Sequence, residues 1–164
     1  MSAPSDTELC ELSQALGARL LARREQLVTA ESCTGGWIAK VMTDVAGSSA
    51  WFDCGMAVYS YEAKQALLGV QSKTLETHGA VSRETVVEMV CGALANSRAS
   101  IAVAVTGIAG PGGGSADKPV GTVWIGWKRR GGQTVTEVFR FEGDRDAVRR
   151  LTVAAALRGL ETLE

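Results

Sequence analysis

Histidine is nearly absent from this chain, with His78 the only one. A Ser-His-Asp triad is therefore excluded unless His78 serves it. The four cysteines, Cys10, Cys33, Cys54 and Cys91, form no C-x-x-C pair. With a single histidine beside them they argue against zinc, and no metal is expected. Neither sign of charge dominates: Lys and Arg number 17, Asp and Glu 18, and the formal net charge is −1. That balance supplies no basic field, so no nucleic-acid partner is expected. Nor does any apolar run approach the ~20 residues of a membrane span. The N-terminus is polar and acidic, unlike a signal peptide. These absences lead to the expectation of a cytoplasmic protein with reduced thiols and no membrane partner.

What is present describes a folded chain. Apolar residues make up 46% and charged residues 21% of the 164 positions, an ordinary globular balance. That length suits one domain, 1–164, able to bury most of its apolar surface without staples.

Ser5-Asp6-Thr7-Glu8 has capping-box spacing, and Leu9, Leu12, Leu16 and Leu20 follow on one face, which predicts a helix to about Arg23. A β-prone run, Gln26 to Ala30, precedes Trp37, Ile38, Val41, Met42 and Val45 at helical spacing, ended by Ala46-Gly47-Ser48-Ser49. Gly55 to Tyr61 reads as a second strand, with Glu62-Ala63-Lys64 opening a short helix that closes at Gly69. Ser72 to Thr77 forms another helical turn, and Ser82 caps a helix with Val86, Val87, Val90, Ala93 and Leu94 as its apolar stripe. Ile101 to Val105 is continuously apolar, as a central strand covered on both faces requires. Gly121 to Lys128 and Thr134 to Phe141 form a hairpin through Arg129-Arg130-Gly131-Gly132. Asp144 caps a last helix carrying Val148, Leu151, Ala155 and Leu160. The pattern implies an α/β fold, a three-layer α/β/α sandwich with a mixed, mostly parallel sheet.

Ala30-Glu31-Ser32-Cys33-Thr34-Gly35-Gly36 lies where the first strand turns into a helix. That junction suits a nucleophilic serine, because the first N–H groups of a helix can hold a developing oxyanion. Glycines at 35 and 36 let a substrate approach the backbone. Taken alone, the same seven residues also fit a plain helix N-cap. With histidine scarce, Lys64 is the candidate base, five residues after Tyr59; desolvation can make a lysine basic enough to act. A solvated helix charge explains Lys64 equally simply, and half-buried packing explains Tyr59. The carboxyl ends of parallel strands border the usual crevice, which would gather Ser32, Lys64 and Thr106.

From Thr106 to Ser115 the chain is rich in glycine but matches no phosphate-loop motif, since no G-x-x-x-x-G-K-[ST] is present. A collar of backbone donors and a surface loop both remain open for it. Arg145 and Arg149 are four apart on one helical face near its N-terminus, against the helix dipole. An anionic ligand such as a phosphate would offset them, and so would Glu142, Asp144 and Asp146. Cys33 could be a reactive thiolate. No imidazole lies near it in sequence, so it is read as a backbone donor. Trp51 and Phe52 are read either as exposed interface aromatics or as a satellite core.

Six blocks occur in order: 29–36 (TAESCTGG), Tyr59-Ser60-x-Glu62-Ala63-Lys64, Gly79-Ala80-Val81-Ser82, 106–115, Lys118-Pro119-Val120-Gly121-Thr122-Val123 and Gly143-Asp144-Arg145. On these blocks, from about Leu9 to Leu160, the chain resembles the CinA C-terminal domain family, on the side of its stand-alone nicotinamide-nucleotide amidases. The resemblance implies hydrolysis of the carboxamide of nicotinamide mononucleotide to nicotinic acid mononucleotide and ammonia, without metal or cofactor. It implies Ser32 as nucleophile, activated by Lys64 with Tyr59. Substrate contacts would come from Cys33, Thr34, Gly35 and Gly36, from Thr106, Gly107, Ala109, Gly110 and Gly113 of the glycine loop, and from Arg145 at the phosphate. The expected assembly is a homo-oligomer, taken as a dimer, with a partner for Arg145 supplied across the subunit interface. Tyr61 departs from the asparagine common in the family. If it lines the pocket it alters substrate preference or rate; if it points into the core it does not. A different small amide as substrate, and a non-catalytic nucleotide-binding module, are the alternative readings.

Overall fold

The computed structural model describes residues 2–163. Its first helix, α1 (Asp6–Arg23), starts as its sequence requires: Glu8 N–H donates to the Ser5 hydroxyl, and Ser5 N–H donates back to the Glu8 carboxylate. Strand β1 (Leu27–Glu31) follows, then α2 (Trp37–Thr43) and a single 3-10 turn, Ser48–Ala50. Next come β2 (Phe52–Ala57), α3 (Tyr61–Leu68), α4 (Ser72–His78) and α5 (Arg83–Ala95). The last elements are β3 (Ile101–Gly107), β4 (Thr122–Arg129), β5 (Thr134–Arg140) and α6 (Arg145–Thr162).

The strands form one sheet in the order β2-β1-β3-β4-β5. β1 pairs in parallel with both β2 and β3, while β4 is antiparallel to β3 and β5. Only β4 therefore runs against the others, and the sheet is mixed with one dominant direction. One core packs α1, α2 and α6 on the first face, through Leu9, Leu16, Ile38, Met42, Val153 and Leu157. A second core packs α3, α4 and α5 on the other face, through Leu68, Leu75, Val86, Met89 and Val90. Strand alternation decides which residue serves which core. Leu27 of β1 faces the first and Val28 and Ala30 the second; β3 alternates likewise.

Two departures from the expected elements are informative. β2 starts at Phe52 rather than near Gly55, and Val58 to Ser60 lie beyond its end. The reason is a cap: the Ser60 side chain accepts from Ala63 N–H, so Ser60 opens α3 instead of closing a strand. Trp51, read as an exposed interface residue or part of a satellite core, is buried in the first core, and Phe52 packs against it.

The position of α3 depends on one glycine. A Cβ at Gly92 of α5 would lie 1.9 Å from the Leu68 carbonyl oxygen, so only glycine lets the end of α3 come this close. Gly92→Ala is expected to cost about 1–3 kcal/mol through overpacking, and to displace Lys64 on the same helix. Urea denaturation together with activity measures both effects.

Candidate active site

β1 ends in a charged residue that is wholly buried. Glu31 is 0% exposed and accepts five hydrogen bonds. Thr29 Oγ1 (3.1 Å) and Ala39 N–H (2.8 Å) donate to one oxygen. Thr34 Oγ1 (2.7 Å), Gly36 N–H (3.0 Å) and Ile38 N–H (2.9 Å) donate to the other. The carboxylate thus takes the N–H groups that the start of α2 leaves without intrahelical partners. Gly35 and Gly36 turn the chain into α2 with φ of 61° and 95°, a region that favours glycine.

Ser32 continues β1 by one residue, its N–H donating to the Val105 carbonyl at 3.0 Å. By alternation it falls on the face of α3, opposite to Glu31. There it meets Lys64, which is 1% exposed although charged in water. Lys64 Nζ donates to Ser32 Oγ at 3.0 Å, to the Val58 carbonyl at 2.9 Å and to the Tyr59 carbonyl at 3.3 Å. Among the described residues no carboxylate lies within ion-pair distance of it. Burial holds its pKa below the ordinary lysine range. Cys33 beside it is a neutral thiol, because burial pushes its pKa up to about 12; that removes the thiolate alternative.

The structure thus joins Ser32 and Lys64 directly. Tyr59 touches Lys64 through its backbone carbonyl; its side chain is 65% exposed, and its hydroxyl accepts from Arg145 at 3.1 Å. Arg145 also donates to the Gly110 carbonyl at 2.8 Å and has no carboxylate partner among the described residues. Thr106 is buried, and its hydroxyl donates to the Ala80 carbonyl at 2.8 Å. Tyr61 is neither core nor free: its hydroxyl accepts from Ala80 N–H at 3.3 Å.

The glycine loop is packed at its base and exposed from Pro111 to Asp117. A Cβ at Gly107 would meet Val123 at 2.6 Å, and one at Gly110 would meet Val120 at 2.6 Å. The loop therefore packs back onto the start of β4, with Ala109 buried in the first core and Gly113 at the exposed tip. Two residues of the arrangement were not legible as such: Glu31, whose signal is an acid ending a β-prone run, and Arg149. Arg149 Nε donates to the Cys33 carbonyl at 3.1 Å and Nη2 to the Thr34 carbonyl at 2.9 Å. Its guanidinium lies 4.9 Å from the Trp37 ring centroid.

Among the described residues no three His, Cys, Asp or Glu side chains gather as a metal site would need. Among the same residues no helix is long and apolar enough to cross a membrane.

A mixed α/β/α domain with a buried serine and lysine at the carboxyl edge of its sheet has close counterparts. The chain belongs to the CinA C-terminal domain family, whose pattern matches residues 9–163. It is 55% identical to the nicotinamide-nucleotide amidohydrolase PncC of Escherichia coli K12 over 156 residues, 95% of this chain and 94% of that protein. With the PncC of Pseudomonas putida it shares 53% identity over 149 residues, 91% of this chain and 92% of that one. The crystal structure of the competence/damage inducible protein CihA from Agrobacterium tumefaciens superposes with a TM-score of 0.92 at 47% identity, covering 96% of this chain and 95% of that one.

Glu31→Gln puts an amide N–H₂ against donors that need acceptors, and is expected to cost about 3 kcal/mol. Chemical denaturation checks this; an unchanged midpoint would show that the carboxylate does not hold the turn.

Proposed function

We propose that this chain is an amidohydrolase that converts nicotinamide mononucleotide to nicotinic acid mononucleotide and ammonia, with Ser32 as nucleophile and Lys64 as its base. The PncC relatives support the substrate. The observation that carries the chemistry is the 3.0 Å contact between Lys64 Nζ and Ser32 Oγ in a buried setting.

The two carbonyls around Lys64 give the contact its sense. A neutral amine has two hydrogens and one lone pair. The charged amine donates to Ser32 Oγ and to both carbonyls; once it loses a proton, the Val58 and Tyr59 carbonyls keep its two hydrogens and its lone pair accepts from the Ser32 hydroxyl instead. Lys64 then takes the Ser32 proton as Oγ attacks the carboxamide carbon. Collapse of the tetrahedral intermediate breaks the C–N bond, and the same proton leaves on ammonia. Water, deprotonated by Lys64, hydrolyses the nicotinoyl ester on Ser32 and restores the hydroxyl. Arg145, without an acid of its own, binds the phosphate of the nucleotide, and the exposed Tyr59 hydroxyl beside it completes that end of the site.

Ser32→Ala and Lys64→Met are expected to lower ammonia release by about 10⁴-fold or more, with nucleotide affinity retained. Normal turnover in either variant would falsify the assignment. Mass spectrometry of enzyme quenched during turnover should show a nicotinoyl ester on the Ser32 peptide.

The pH dependence follows from Lys64. Its native pKa is lowered, so kcat/KM rises with pH along an acid limb centred below the ordinary lysine value of about 10.4. Between that native pKa and about 10.4 the unfolded chain binds a proton that the native chain releases. Stability therefore rises with pH across that window, and Lys64→Met removes the slope. Denaturation midpoints at a series of pH values test the sign.

A further inference from the structure

The two edges of the sheet are protected unequally. On β2, Phe52 pairs with Leu27 and Cys54 with Val28, so Asp53 is an extra residue and that edge carries both a bulge and a charge. Bulges and charges are what keep an edge strand from pairing with another chain. β5, at the opposite edge, has no bulge, proline or lysine: Thr134 to Arg140 follow β4 in one unbroken register. Of its two charges, Arg140 turns back on its own chain, to the Thr122 hydroxyl and the Asp117 carbonyl. Glu137 is left as the one guard. Meanwhile Val135 is 50% and Val138 43% exposed. On the α6 side two adjoining cavities of about 460 and 310 Å³ run along the strand, lined by Val135, Phe139 and Phe141, so α6 stops short of covering it.

The free backbone groups of β5 can be assigned. Phe141 N–H donates to the Gly121 carbonyl, whereas Thr122, opposite Arg140, spends its N–H on Pro119 and its carbonyl on Ile108. Residues of an antiparallel strand alternate between facing one neighbour and the other. Val135, Glu137 and Phe139 therefore bond to β4 as Phe141 does. Thr136, Val138 and Arg140 direct their N–H and C=O away from the sheet, where no strand lies among the described residues.

We propose that β5 is where two copies of this chain meet: the strands pair antiparallel about a two-fold axis at Val138, and the two sheets run on as one. Such an axis sets one residue opposite its own copy, and the choices along β5 are not equivalent. Centring at Glu137 or Arg140 opposes like charges, which is unfavourable. Centring at Phe139 sets Val138 against Arg140, and centring at Thr136 sets Val135 against Glu137. Centring at Val138 puts Val138 on Val138 and Val135 on Phe141, with Thr136 opposite Arg140, Glu137 beside Phe139 and no like charges opposed. Every outward N–H and C=O of Thr136, Val138 and Arg140 then gains a partner. A second copy brings this complement with it, the same row of donors and apolar side chains in reverse order. The inference is independent of the amidase reading.

Sedimentation equilibrium of the unmodified chain at micromolar concentration is expected to show a reversible dimer. Val138→Lys sets two ammonium groups face to face and is expected to raise the dimer Kd by about 100-fold or more. Lysine suits an exposed edge, so this variant should keep the circular dichroism of the unmodified chain. Val138→Cys tests the register. Hydrogen-bonded opposite residues have Cα atoms about 5.5 Å apart, within the roughly 4.4–6.8 Å that a disulfide spans. Mild oxidation should therefore link two copies through position 138, identified by peptide mass spectrometry, whereas Thr136→Cys, opposite Arg140, should not link. A chain that stays monomeric at every concentration overturns the inference. So does a Val138→Lys dimer of undiminished affinity, since another face would then hold it. Linking at position 136 and none at 138 overturns the pairing about Val138.

Discussion

The carboxylate of Glu31 is the constraint on which the site rests. An ion with no solvent exposure is stable only when its lone pairs are filled. Here five donors fill them, drawn from β1, from the turn and from the first residues of α2. Strand, turn and helix are thereby tied to one point. The tie has a chemical consequence as well as a mechanical one. The N–H groups that make a helix start attractive to anions are consumed by the protein's own anion. The Gly36, Ile38 and Ala39 N–H groups are therefore not free for a second anion.

Strand alternation makes the second buried charge usable. Glu31 and Ser32 are adjacent in sequence but leave the sheet on opposite faces, and Lys64 reaches only the face of Ser32. Had the register been one residue different, the carboxylate would face the amine. A close ion pair favours the charged form of both partners and would hold the proton on Lys64. Separation by the thickness of the sheet leaves desolvation as the leading influence on the lysine. The same one-residue step that parts Ser32 from Glu31 therefore keeps the carboxylate away from the Lys64 amine.

Much of this was legible in the sequence, for definite reasons. The Ser5–Glu8 box, the Ser82 and Asp144 caps and the Ile101–Val105 run are local signals that local structure satisfies. Ser32 and Lys64 stood out because a serine at a strand-to-helix junction and a lysine just past a strand lie at carboxyl ends. What could not be read depends on distant partners. Arg149 looks like an anion ligand beside Arg145, four residues away, but the two reach different elements: Arg145 the Gly110 carbonyl and Tyr59, Arg149 the turn after Ser32. Tyr59, expected to act with Lys64, meets it through its carbonyl, while its hydroxyl meets Arg145. Glycine density between 106 and 115 suggested open backbone, and close packing against Val120 and Val123 explains much of it.

Floor and rim of the site are held by different kinds of interaction, and that difference divides their work. The floor is held by buried or partly buried groups: Glu31 under the turn, Lys64 against Ser32, Arg149 on the carbonyls. The rim is bridged by Tyr59 to Arg145 on one side and by Tyr61 to Ala80 on the other, the second bridge anchored by Thr106. Both bridging hydrogen bonds are open to water, which competes for their partners, so the rim yields to a ligand more readily than the floor. Tyr61 acts on that rim. It neither fills the core nor touches the serine, and its one recorded contact by the hydroxyl is with the backbone at Ala80. The residues of the floor cannot move without undoing the turn, whereas those of the rim can.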